Sequence, residues 1–366
     1  MVFVTGPRQV GKTFIARQIM QEFHKPVYLN HDVLNDRRII QNSAWLPDAD
    51  LIVFDEIHKM KNWKNFLKGV YDARSENQAI LVTGSARMET YRQSGASLAG
   101  RYLHLRLNPL SVKELHSHFS PHEAVERLND LGGFPEPFLT EMKSDVQTAR
   151  EYAARWRNQY FTDLIREDIL DFSRIQETKT MKLLVELLRS RVASPISYKS
   201  IAEDLQVAPN TVKKYIQILE SLYIIFLVPP FHKNIARAIL KEPKIYFYDS
   251  GYVKGGDGVR FENTCAVCLL KHVQFRHDAK GRNTHLNYVR TKDGKEVDFA
   301  IVEDDELEKL IEVKMSDNNP SPALALFAQR CPKAQALQLV HHLRQEEHRR
   351  GVDVLRAGDW LSGLLA

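Results

Sequence analysis

The chain has 366 residues, of which 43% are hydrophobic and 27% are charged, a composition typical of a globular protein with about two to four domains. Its sequence holds no apolar run near the ~20 residues of a membrane span. Because an apolar strand is predicted at the very start, we expect no signal peptide. Three cysteines are too few for a disulfide framework, so we expect a cytoplasmic protein without a membrane partner. The formal net charge is +5, and the segment 174–244 has twelve Lys and Arg against six Asp and Glu, which favours a polyanionic partner there.

The first thirteen residues carry a phosphate-binding motif. A short apolar strand at 2–4 is followed by G-x-x-x-x-G-K-T and then by an amphipathic helix from about Phe14 to Phe23. Glycines at both ends of such a loop let backbone N–H groups surround phosphate oxygens at a helix N-terminus. Lys12 is expected to reach the β- and γ-phosphates of ATP, and the Thr13 hydroxyl to ligate Mg²⁺. The predicted nucleotide-binding residues are Gly6, Pro7, Arg8, Gln9, Val10, Gly11, Lys12 and Thr13.

Two further buried strands end in polar residues. Residues 26–29 form a second short strand, and Leu51–Phe54 precede Asp55 and Glu56. At the carboxyl edge of a parallel sheet, Asp55 would hold Mg²⁺ through water and Glu56 would orient or deprotonate the attacking water. The next strand, from Ala79, ends near Thr83 and Ser85, and we favour Ser85 as the hydroxyl that senses the γ-phosphate.

An arginine follows a glycine directly before the next alternating strand. Arg101 is a candidate arginine finger, which would act on the nucleotide of its own chain or on that of a neighbouring subunit in a homo-oligomer. The alternative is an ordinary ion pair with a surface acid.

The middle of the chain reads as helical. A long helix is predicted from about Val146 to Phe172, and two shorter helices at 198–205 and 210–222 form a helix-turn-helix. A strand at 223–228 and a return strand at 244–248 complete a winged helix. Its second helix leaves Lys213, Lys214 and Gln217 outside the apolar stripe, where they could contact DNA, with wing contacts from Lys233, Arg237 and Lys241. Winged helices also serve as protein-interaction or lid modules, and the fold alone does not separate these uses.

The C-terminal third contains a pattern typical of metal-dependent phosphodiester hydrolysis. Asp298 lies near the start of one strand, and Glu312 and Lys314 lie two residues apart on the returning strand after an acidic turn at 303–308. The two acids, with Glu262 from the preceding helix, would hold Mg²⁺, and Lys314 would position or help to deprotonate the attacking water. The alternative is that this domain serves as a scaffold and does not cleave DNA.

Two other groups of residues suggest no site. Cys265 and Cys268 lie in an apolar helix without a second ligand pair, which indicates buried packing rather than zinc. His341, His342 and His348 lie in a basic, glutamate-bearing segment that reads as a solvated face.

Taken together, the motifs resemble those of one family. They are G-P-R-Q-V-G-K-T at 6–13, F-D-E at 54–56, T-G-S at 83–85, L-A-G-R at 98–101, N-P-L-S at 108–111 and G-G-F-P-E at 132–136. The chain resembles, over essentially its full length, prokaryotic AAA-type ATPases that carry a C-terminal domain of the PD-(D/E)XK nuclease type. Members usually have a helix before the first strand, so the resemblance implies a shortened start at Met1.

The resulting expectation is an α/β protein with four segments. A P-loop NTPase core with a parallel sheet occupies 1–118, a helical lid 119–192, a winged helix 193–248 and a restriction-endonuclease-like α/β domain 249–366. The predicted function is an ATP-hydrolysing protein that couples its nucleotide state to DNA binding, with Mg²⁺-dependent DNA cleavage as an added activity. The alternative is a protein-directed regulatory ATPase or scaffold whose C-terminal domain is not a working nuclease.

Overall fold

The structure, a computed structural model, describes residues 1–84, 98–140, 145–166, 175–232, 242–291 and 293–365. The chain forms two compact units. The first comprises Met1–Asn108 with Ser221–Tyr223, and the second comprises Pro109–Glu220 with Ile224–Ala366. Apart from Ser221–Tyr223, the segments predicted as lid, winged helix and nuclease-like domain therefore all belong to the second unit.

The first unit is built on a parallel sheet of five strands, β1 (Val2–Thr5), β2 (Pro26–Asn30), β3 (Leu51–Asp55), β4 (Ala79–Thr83) and β5 (Leu103–Arg106). Their order in the sheet is β2-β3-β4-β1-β5. Its helices are α1 (Lys12–Met20), α2 (Leu34–Asn42) and α3 (Trp63–Ala73), with a 3₁₀ turn at Ile57–Lys59. Because all five strands run the same way, the ends of β1, β3 and β4 meet at one edge of the sheet.

Helices cover both faces of this sheet, as the continuous apolar runs of its strands require. Alternate residues of a strand point to opposite faces, so Phe54 packs with Leu67 of α3, while its neighbour Val53 packs with Ala16 of α1. All of β3 is buried, which fixes the position of the acids at its end.

The second unit begins with helices. They are α4 (Val112–Leu115), α5 (Pro121–Leu131), α6 (Pro135–Thr140), α7 (Val146–Leu164), α8 (Ile175–Arg189), α9 (Tyr198–Leu205) and α10 (Pro209–Ser221). The long helix that the sequence predicts at 146–172 is α7, and residues 167–174 lie outside the described residues. None of the helices that the structure describes has both the length and the apolar character needed to cross a bilayer.

A buried ion pair holds α7 to the turn before the C-terminal helices. Arg157 Nε donates to Asp249 Oδ2 at 2.9 Å, and both side chains are almost fully buried. Two glycines leave room for this pair, because a Cβ at Gly132 would stand 1.7 Å from Asp249 Oδ1 and one at Gly251 would stand 1.9 Å from Arg157 Cζ. Gly132 also has a φ of 76°, which L side chains rarely adopt.

The rest of the second unit is a hairpin and a mixed sheet. The hairpin joins β6 (Ile225–Val228) and β7 (Lys244–Phe247), and a 3₁₀ turn at Ser250–Tyr252 leads to the long helix α11 (Asp257–Lys280). The strands of the mixed sheet are β8 (Thr284–Arg290), β9 (Glu296–Glu303), β10 (Glu306–Lys314), β11 (Gln335–Val340), β12 (Glu347–Arg349) and β13 (Val352–Arg356). Their order in the sheet is β12-β13-β11-β10-β9-β8. The remaining helices are α12 (Pro322–Arg330) and α13 (Ala357–Ser362).

Strands β8, β9 and β10 form an antiparallel meander, after which α12 crosses over to β11, parallel to β10. Asp304 and Asp305, both with positive φ, make the two-residue turn between β9 and β10. The predicted acidic turn at 303–308 is therefore shorter than expected, and β10 already begins at Glu306.

Candidate functional sites

The predicted phosphate loop connects β1 to α1 in a single tight turn. Gly6 has a φ of 151°, and a Cβ there would stand 2.1 Å from the backbone oxygen of Leu107, so the loop requires glycine at this position. Gly11, with a φ of 103°, directly precedes α1 and acts as its N-cap. The backbone N–H groups at the start of α1 are therefore available to an anion held by the loop.

Lys12 is folded over this loop. Its Nζ donates to the backbone oxygens of Gly6 at 3.0 Å and Pro7 at 2.5 Å. Burial lowers the pKa of Lys12 to about 8, although the nearby carboxylates of Glu56 and Asp55 oppose this shift. A desolvated ammonium group held against the loop is the arrangement that binding of a polyphosphate needs.

The carboxylate of Asp55 meets the start of α1. Thr13 Oγ1 donates to Asp55 Oδ2 at 2.9 Å, and Thr83 Oγ1 donates to Asp55 Oδ1 at 2.6 Å. Strand register explains the second contact, because Asp55 and Thr83 are direct partners across β3 and β4. A hydroxyl and a carboxylate brought together are oxygen ligands of the kind Mg²⁺ prefers, so the pair fits the ion that accompanies ATP.

Sequence reasoning missed one member of this group, Tyr28. Its hydroxyl donates to Asp55 Oδ2 at 2.5 Å, and burial together with this hydrogen bond raises the pKa of Tyr28 to about 12. An aromatic residue in a short strand reads as core, and only the pairing of β2 with β3 shows that it faces the acid. Ser85, which we favoured over Thr83, lies outside the described residues.

Glu56 follows β3 in the left-handed region, with a φ of 54°. Its backbone N–H donates to the oxygen of Thr83 at 3.0 Å, which ties it to the end of β4. Its carboxylate lies 3.5 Å from Lys59 Nζ and 3.7 Å from His58 Nε2. Burial raises the pKa of Glu56, against the opposing charge of Lys59. A carboxylate made more basic by desolvation is suited to accept a proton from water.

Arg101 is not brought to this edge of the sheet. Its Nε donates to Asp72 Oδ1 at 2.8 Å, and its guanidinium also contacts Asp72 Oδ2 at 3.3 Å. The next strand starts at Leu103, which bonds to the backbone oxygen of Met1, so Arg101 lies where β1 begins and the phosphate loop lies where β1 ends. The structure thus pairs Arg101 with a surface acid and keeps it away from the loop of its own chain.

The second candidate site is a cluster of acids and lysines in the second unit, which we call the carboxylate cluster. It consists of Lys244 on β7, Glu262 on α11, Glu296 and Asp298 on β9, and Glu312 and Lys314 on β10. All four acidic and basic residues that the sequence predicts, Glu262, Asp298, Glu312 and Lys314, are members. Lys244 and Glu296 were not predicted.

Lys244 lies at the centre of the cluster. Its Nζ is 2.8 Å from Glu296 Oε1 and 3.5 Å from both Glu262 Oε1 and Asp298 Oδ1, and its side chain is 1% exposed. Burial alone would lower the pKa of Lys244, but the three carboxylates raise it on balance. The ammonium group is therefore a permanent cation at neutral pH.

The other side of the cluster joins β9 to β10. Asp298 Oδ2 accepts a hydrogen bond from the backbone N–H of Val313 at 3.0 Å, and Lys314 Nζ lies 2.8 Å from Glu312 Oε1. Burial and the charge of Asp298 raise the pKa of Glu312 to about 7, and the same two causes raise that of Glu262 to about 8. Both shifts arise first from burial and then from the proximity of a second carboxylate.

Two observations show that the cluster fits a divalent cation. Glu312 Oε2 is buried and has no hydrogen-bond partner among the described residues. The four carboxylates face Lys244, Lys314 and, 3.6 Å from Glu296, the guanidinium of Arg290, which leaves one negative charge in excess when all are ionised. An unpaired buried carboxylate oxygen in such a setting is a natural ligand for Mg²⁺ or Mn²⁺.

Of the residues predicted to face DNA, only those on α10 lie among the residues that the structure describes. Lys213, Lys214 and Gln217 are exposed on α10, opposite the buried residues Val212 and Leu219. The predicted wing residues Lys233, Arg237 and Lys241 lie outside the described residues.

The cysteine pair and the histidine segment, for which the sequence predicts no site, differ in how well the structure agrees with the prediction. Cys265 and Cys268 are buried in α11 as free thiols, in keeping with a packing role. The prediction of a solvated histidine face is wrong for His341, which is 5% exposed. Burial and the neighbours His342 and His122 lower the pKa of His341 to about 4.

Comparison with known protein families divides the chain into three parts. Residues 1–116 match a family described as an AAA domain. Residues 123–255 match a domain of unknown function, DUF8612, and residues 257–360 match another, DUF4143. The first match agrees with the phosphate loop and the parallel sheet, and it supports an AAA-type P-loop domain that binds ATP in this part of the chain.

Relatives cover the chain at low identity. An uncharacterized protein of Mycobacterium tuberculosis is 26% identical over 252 residues, which are 69% of this chain and 54% of that protein. An uncharacterized protein of Methanocaldococcus jannaschii is 25% identical over an alignment of 331 residues that covers 81% of this chain and 71% of that protein. The chain thus spans about half the length of the mycobacterial relative. Among solved structures, a point variant of Thermotoga maritima RuvB matches 62% of this chain and 82% of its own at 18% identity, with a TM-score of 0.29 that is too low to support a structural argument.

Proposed function

We propose that the N-terminal unit binds and hydrolyses Mg-ATP and that the nucleotide state controls binding of DNA by the second unit. The observation that carries the ATPase proposal is the meeting of two distant motifs, with Thr13 Oγ1 2.9 Å from Asp55 Oδ2 at the end of the phosphate loop. Packing of an apolar core does not explain why a hydroxyl and a carboxylate lie together beside the phosphate loop, whereas binding of a magnesium nucleotide does.

Each residue then has a defined role. Bound Mg-ATP supplies the γ-phosphoryl group and the divalent cation. The backbone N–H groups of the loop and the ammonium of Lys12 bind the phosphates, and Thr13 and Asp55 hold the cation. Thr83 fixes the Asp55 carboxylate through its 2.6 Å hydrogen bond. Glu56, with its raised pKa, orients the attacking water and accepts its proton.

The direct test of nucleotide binding is Lys12→Ala. This variant should lose ATP binding and turnover, because the phosphates lose their buried counter-charge. Lys25→Ala is the matched control, since Lys25 is an exposed lysine of the same unit that pairs with Asp48. ATP turnover at the wild-type rate in Lys12→Ala would overturn the assignment of the loop.

We propose a second activity, metal-dependent cleavage of phosphodiesters, for the C-terminal domain. The unpaired Glu312 Oε2 beside Asp298 favours it, as does the order helix, three antiparallel strands, helix, parallel strand, which supports a nuclease-type domain of the kind that the motifs resemble. Asp298 and Glu312 would hold the cation, Glu262 would complete its surroundings, and Lys314 would position the water. In this role Lys244 holds the acids together and limits the charge that the metal must balance.

Nicking of supercoiled plasmid in Mg²⁺ or Mn²⁺ tests this activity. Asp298→Asn and Lys314→Ala should each abolish nicking, while Lys309→Ala, a change on the same strand at a residue paired with Glu308, should not. If the wild type never nicks in either metal, the scaffold alternative stands, in which this domain holds partners and cuts nothing.

We propose that α10 binds DNA through Lys213 and Lys214, and their exposure supports this role. The slope of log affinity against log salt should fall by about 2 when both are reversed to glutamate, because each phosphate contact contributes close to one unit. An unchanged slope would remove α10 from the interface. The control is reversal of Lys199, an exposed lysine on the other helix of the pair.

Arg101 has a proposed role only in an oligomer. Its pair with Asp72 is partly exposed, so a neighbouring subunit's nucleotide could compete for the guanidinium. ATP should then increase the mass seen by light scattering, and Arg101→Ala should lower turnover without weakening ATP binding. A mass that does not respond to ATP would remove this role.

A further inference from the structure

Three histidines from separate parts of the second unit come together in a group that we call the histidine cluster. His122 lies on the first turn of α5, and His341 and His342 directly follow β11. One ring nitrogen of each lies within 4.8 Å of the others, and His122 Nε2 is 3.3 Å from His342 Nδ1. The rings of His122 and His341 stack at 4.5 Å with an angle of 7°. The three rings are thus close enough to share one ligand.

A buried nitrogen in this cluster lacks a partner. His341 is 5% exposed, and its Nδ1 is buried with no hydrogen-bond partner among the described residues. Leaving such an atom unsatisfied costs about 1–3 kcal/mol, and native structures rarely do so without a bound ion or water. The atom therefore points to a ligand that the histidines hold.

The carboxylate of Glu126 lies near one ring nitrogen of His122 and one of His341, which leaves their other ring nitrogens for the ligand. Glu126 Oε1 lies 3.8 Å from His122 Nδ1 and 4.0 Å from His341 Nε2. A histidine that binds a metal commonly directs its second ring nitrogen to a carboxylate, which fixes the ring. Glu126 would play this part, leaving His122 Nε2, His341 Nδ1 and His342 Nδ1 for the ligand. His122 Nε2 and His342 Nδ1 form the 3.3 Å contact, and His341 Nδ1 is the unpaired buried nitrogen.

The backbone holds these ligands in place. The N–H of His341 donates to the oxygen of Lys314 at 3.0 Å, and that of His342 donates to the oxygen of Met315 at 2.8 Å, so the pairing of β10 with β11 continues through both residues. His122 is fixed at the start of α5, whose N-cap Ser120 accepts from the backbone N–H of Glu123. Ligands on such ordered elements need little rearrangement to bind.

We propose that His122, His341 and His342 form a binding site for a transition-metal ion, with Zn²⁺ as the ion it fits best. Imidazole nitrogens suit Zn²⁺, and Zn–N bonds of about 2.0–2.1 Å in a tetrahedral site place nitrogens roughly 3.3–3.4 Å apart. The His122–His342 contact has this spacing already, and small rotations would bring in His341. Because His122 and His342 are exposed, the fourth position is open to water.

The site would clip α5 to the end of β11. It belongs to neither the phosphate loop nor the carboxylate cluster, although the backbone oxygen of Lys314 bonds to the N–H of His341. A metal here would order the end of β10, which carries Lys314. This role does not depend on the proposed nuclease activity.

Titration of the full-length chain with ZnCl₂ against a chromophoric chelator tests the site. The wild type should bind one Zn²⁺ that excess Mg²⁺ does not displace, and Co²⁺ in its place should give the visible bands of a four-coordinate ion. His122→Ala and His342→Ala should each weaken binding about a hundredfold or more, and Glu126→Gln about tenfold. His116→Ala, an exposed histidine that bonds to the backbone oxygen of Lys113, is the matched control and should bind as the wild type does.

His122 and His342 are exposed, so their variants should fold, and thermal melts without metal should match the wild type. The proposal is overturned if the wild type binds no Zn²⁺, or if both variants bind it as tightly as His116→Ala does. It is equally overturned if the bound Zn²⁺ is lost in Glu312→Gln and retained in His122→Ala, because the ion would then lie in the carboxylate cluster.

Discussion

Replacing Lys244 with methionine would remove the ammonium group at the centre of the carboxylate cluster. That group touches three carboxylates at 2.8–3.5 Å, and each contact carries about 5 kcal/mol of Coulomb energy at an effective dielectric constant near 20. Most of this energy offsets desolvation, so the net cost of removing one partner of a buried pair is about 3–5 kcal/mol. The three acids keep side-chain exposures of 17–24% and can recruit water or protons, so we expect a loss near the lower figure.

Urea unfolding of the full chain in EDTA and in Mn²⁺ measures this effect. In EDTA, Lys244→Met should unfold at clearly lower urea than the wild type, because three carboxylates lose their buried counter-charge. Mn²⁺ should restore more stability to the variant than to the wild type, since the site has lost one positive charge and the ion binds more tightly.

Lys295→Met is the control, because Lys295 is an exposed lysine just before β9 whose nearest acid, Asp293, is 4.0 Å away. If Lys244→Met is as stable as this control in EDTA, the lysine does not hold the cluster together. An equal effect of Mn²⁺ on the variant and on the wild type would show that the charge of Lys244 does not influence binding of the ion.

Two further predictions concern the nucleotide site. ATP affinity should weaken as the pH rises past about 8, because only the protonated Lys12 attracts phosphate and burial lowers the pKa of Lys12 to about 8. Lys12→Arg keeps its charge, so its ATP affinity should not change over the same pH range. A wild-type profile as flat as that of the arginine variant would contradict the burial of Lys12. Thr83→Val removes the 2.6 Å hydrogen bond to Asp55, which should lower the free energy of unfolding by about 1–2 kcal/mol. Mg-ATP turnover should fall more than about tenfold, and nucleotide binding in EDTA should not change. Undiminished turnover would show that this hydroxyl does not position Asp55.

The sequence predicts the strand–loop–helix order and the placement of Asp55 and Glu56 at the end of β3, because these spacing constraints are local. Gly6 to Thr13 must form a loop between a strand and a helix, and the acids after the next buried strand must lie at the same sheet edge. The choice between Thr83 and Ser85 is different, because it depends on the register of β4 against β3, which no local pattern specifies. Tyr28 was missed for the same reason, since its contact with Asp55 follows from the packing of β2.

The second unit shows a similar division. Asp298, Glu312 and Lys314 are predictable from strand periodicity and the resemblance of motifs, and Glu262 from its place on the preceding helix. Lys244 is not, because a lysine at the start of a hairpin strand reads as exposed, and its partner Asp298 is 54 residues away. His122 and His342 are 220 residues apart, so their contact depends on how α5 packs beside β11. Contacts between residues so far apart in the sequence depend on tertiary packing, which local sequence patterns do not reveal.

The most direct test of the central claim compares ATP binding and ATP turnover in the wild type and in Glu56→Gln. Glutamine keeps the shape of Glu56 but cannot accept a proton, so the variant should bind Mg-ATP as tightly as the wild type and turn it over at least about a hundredfold more slowly. Turnover at the wild-type rate in Glu56→Gln, or a wild type that neither binds nor hydrolyses ATP, would contradict the account.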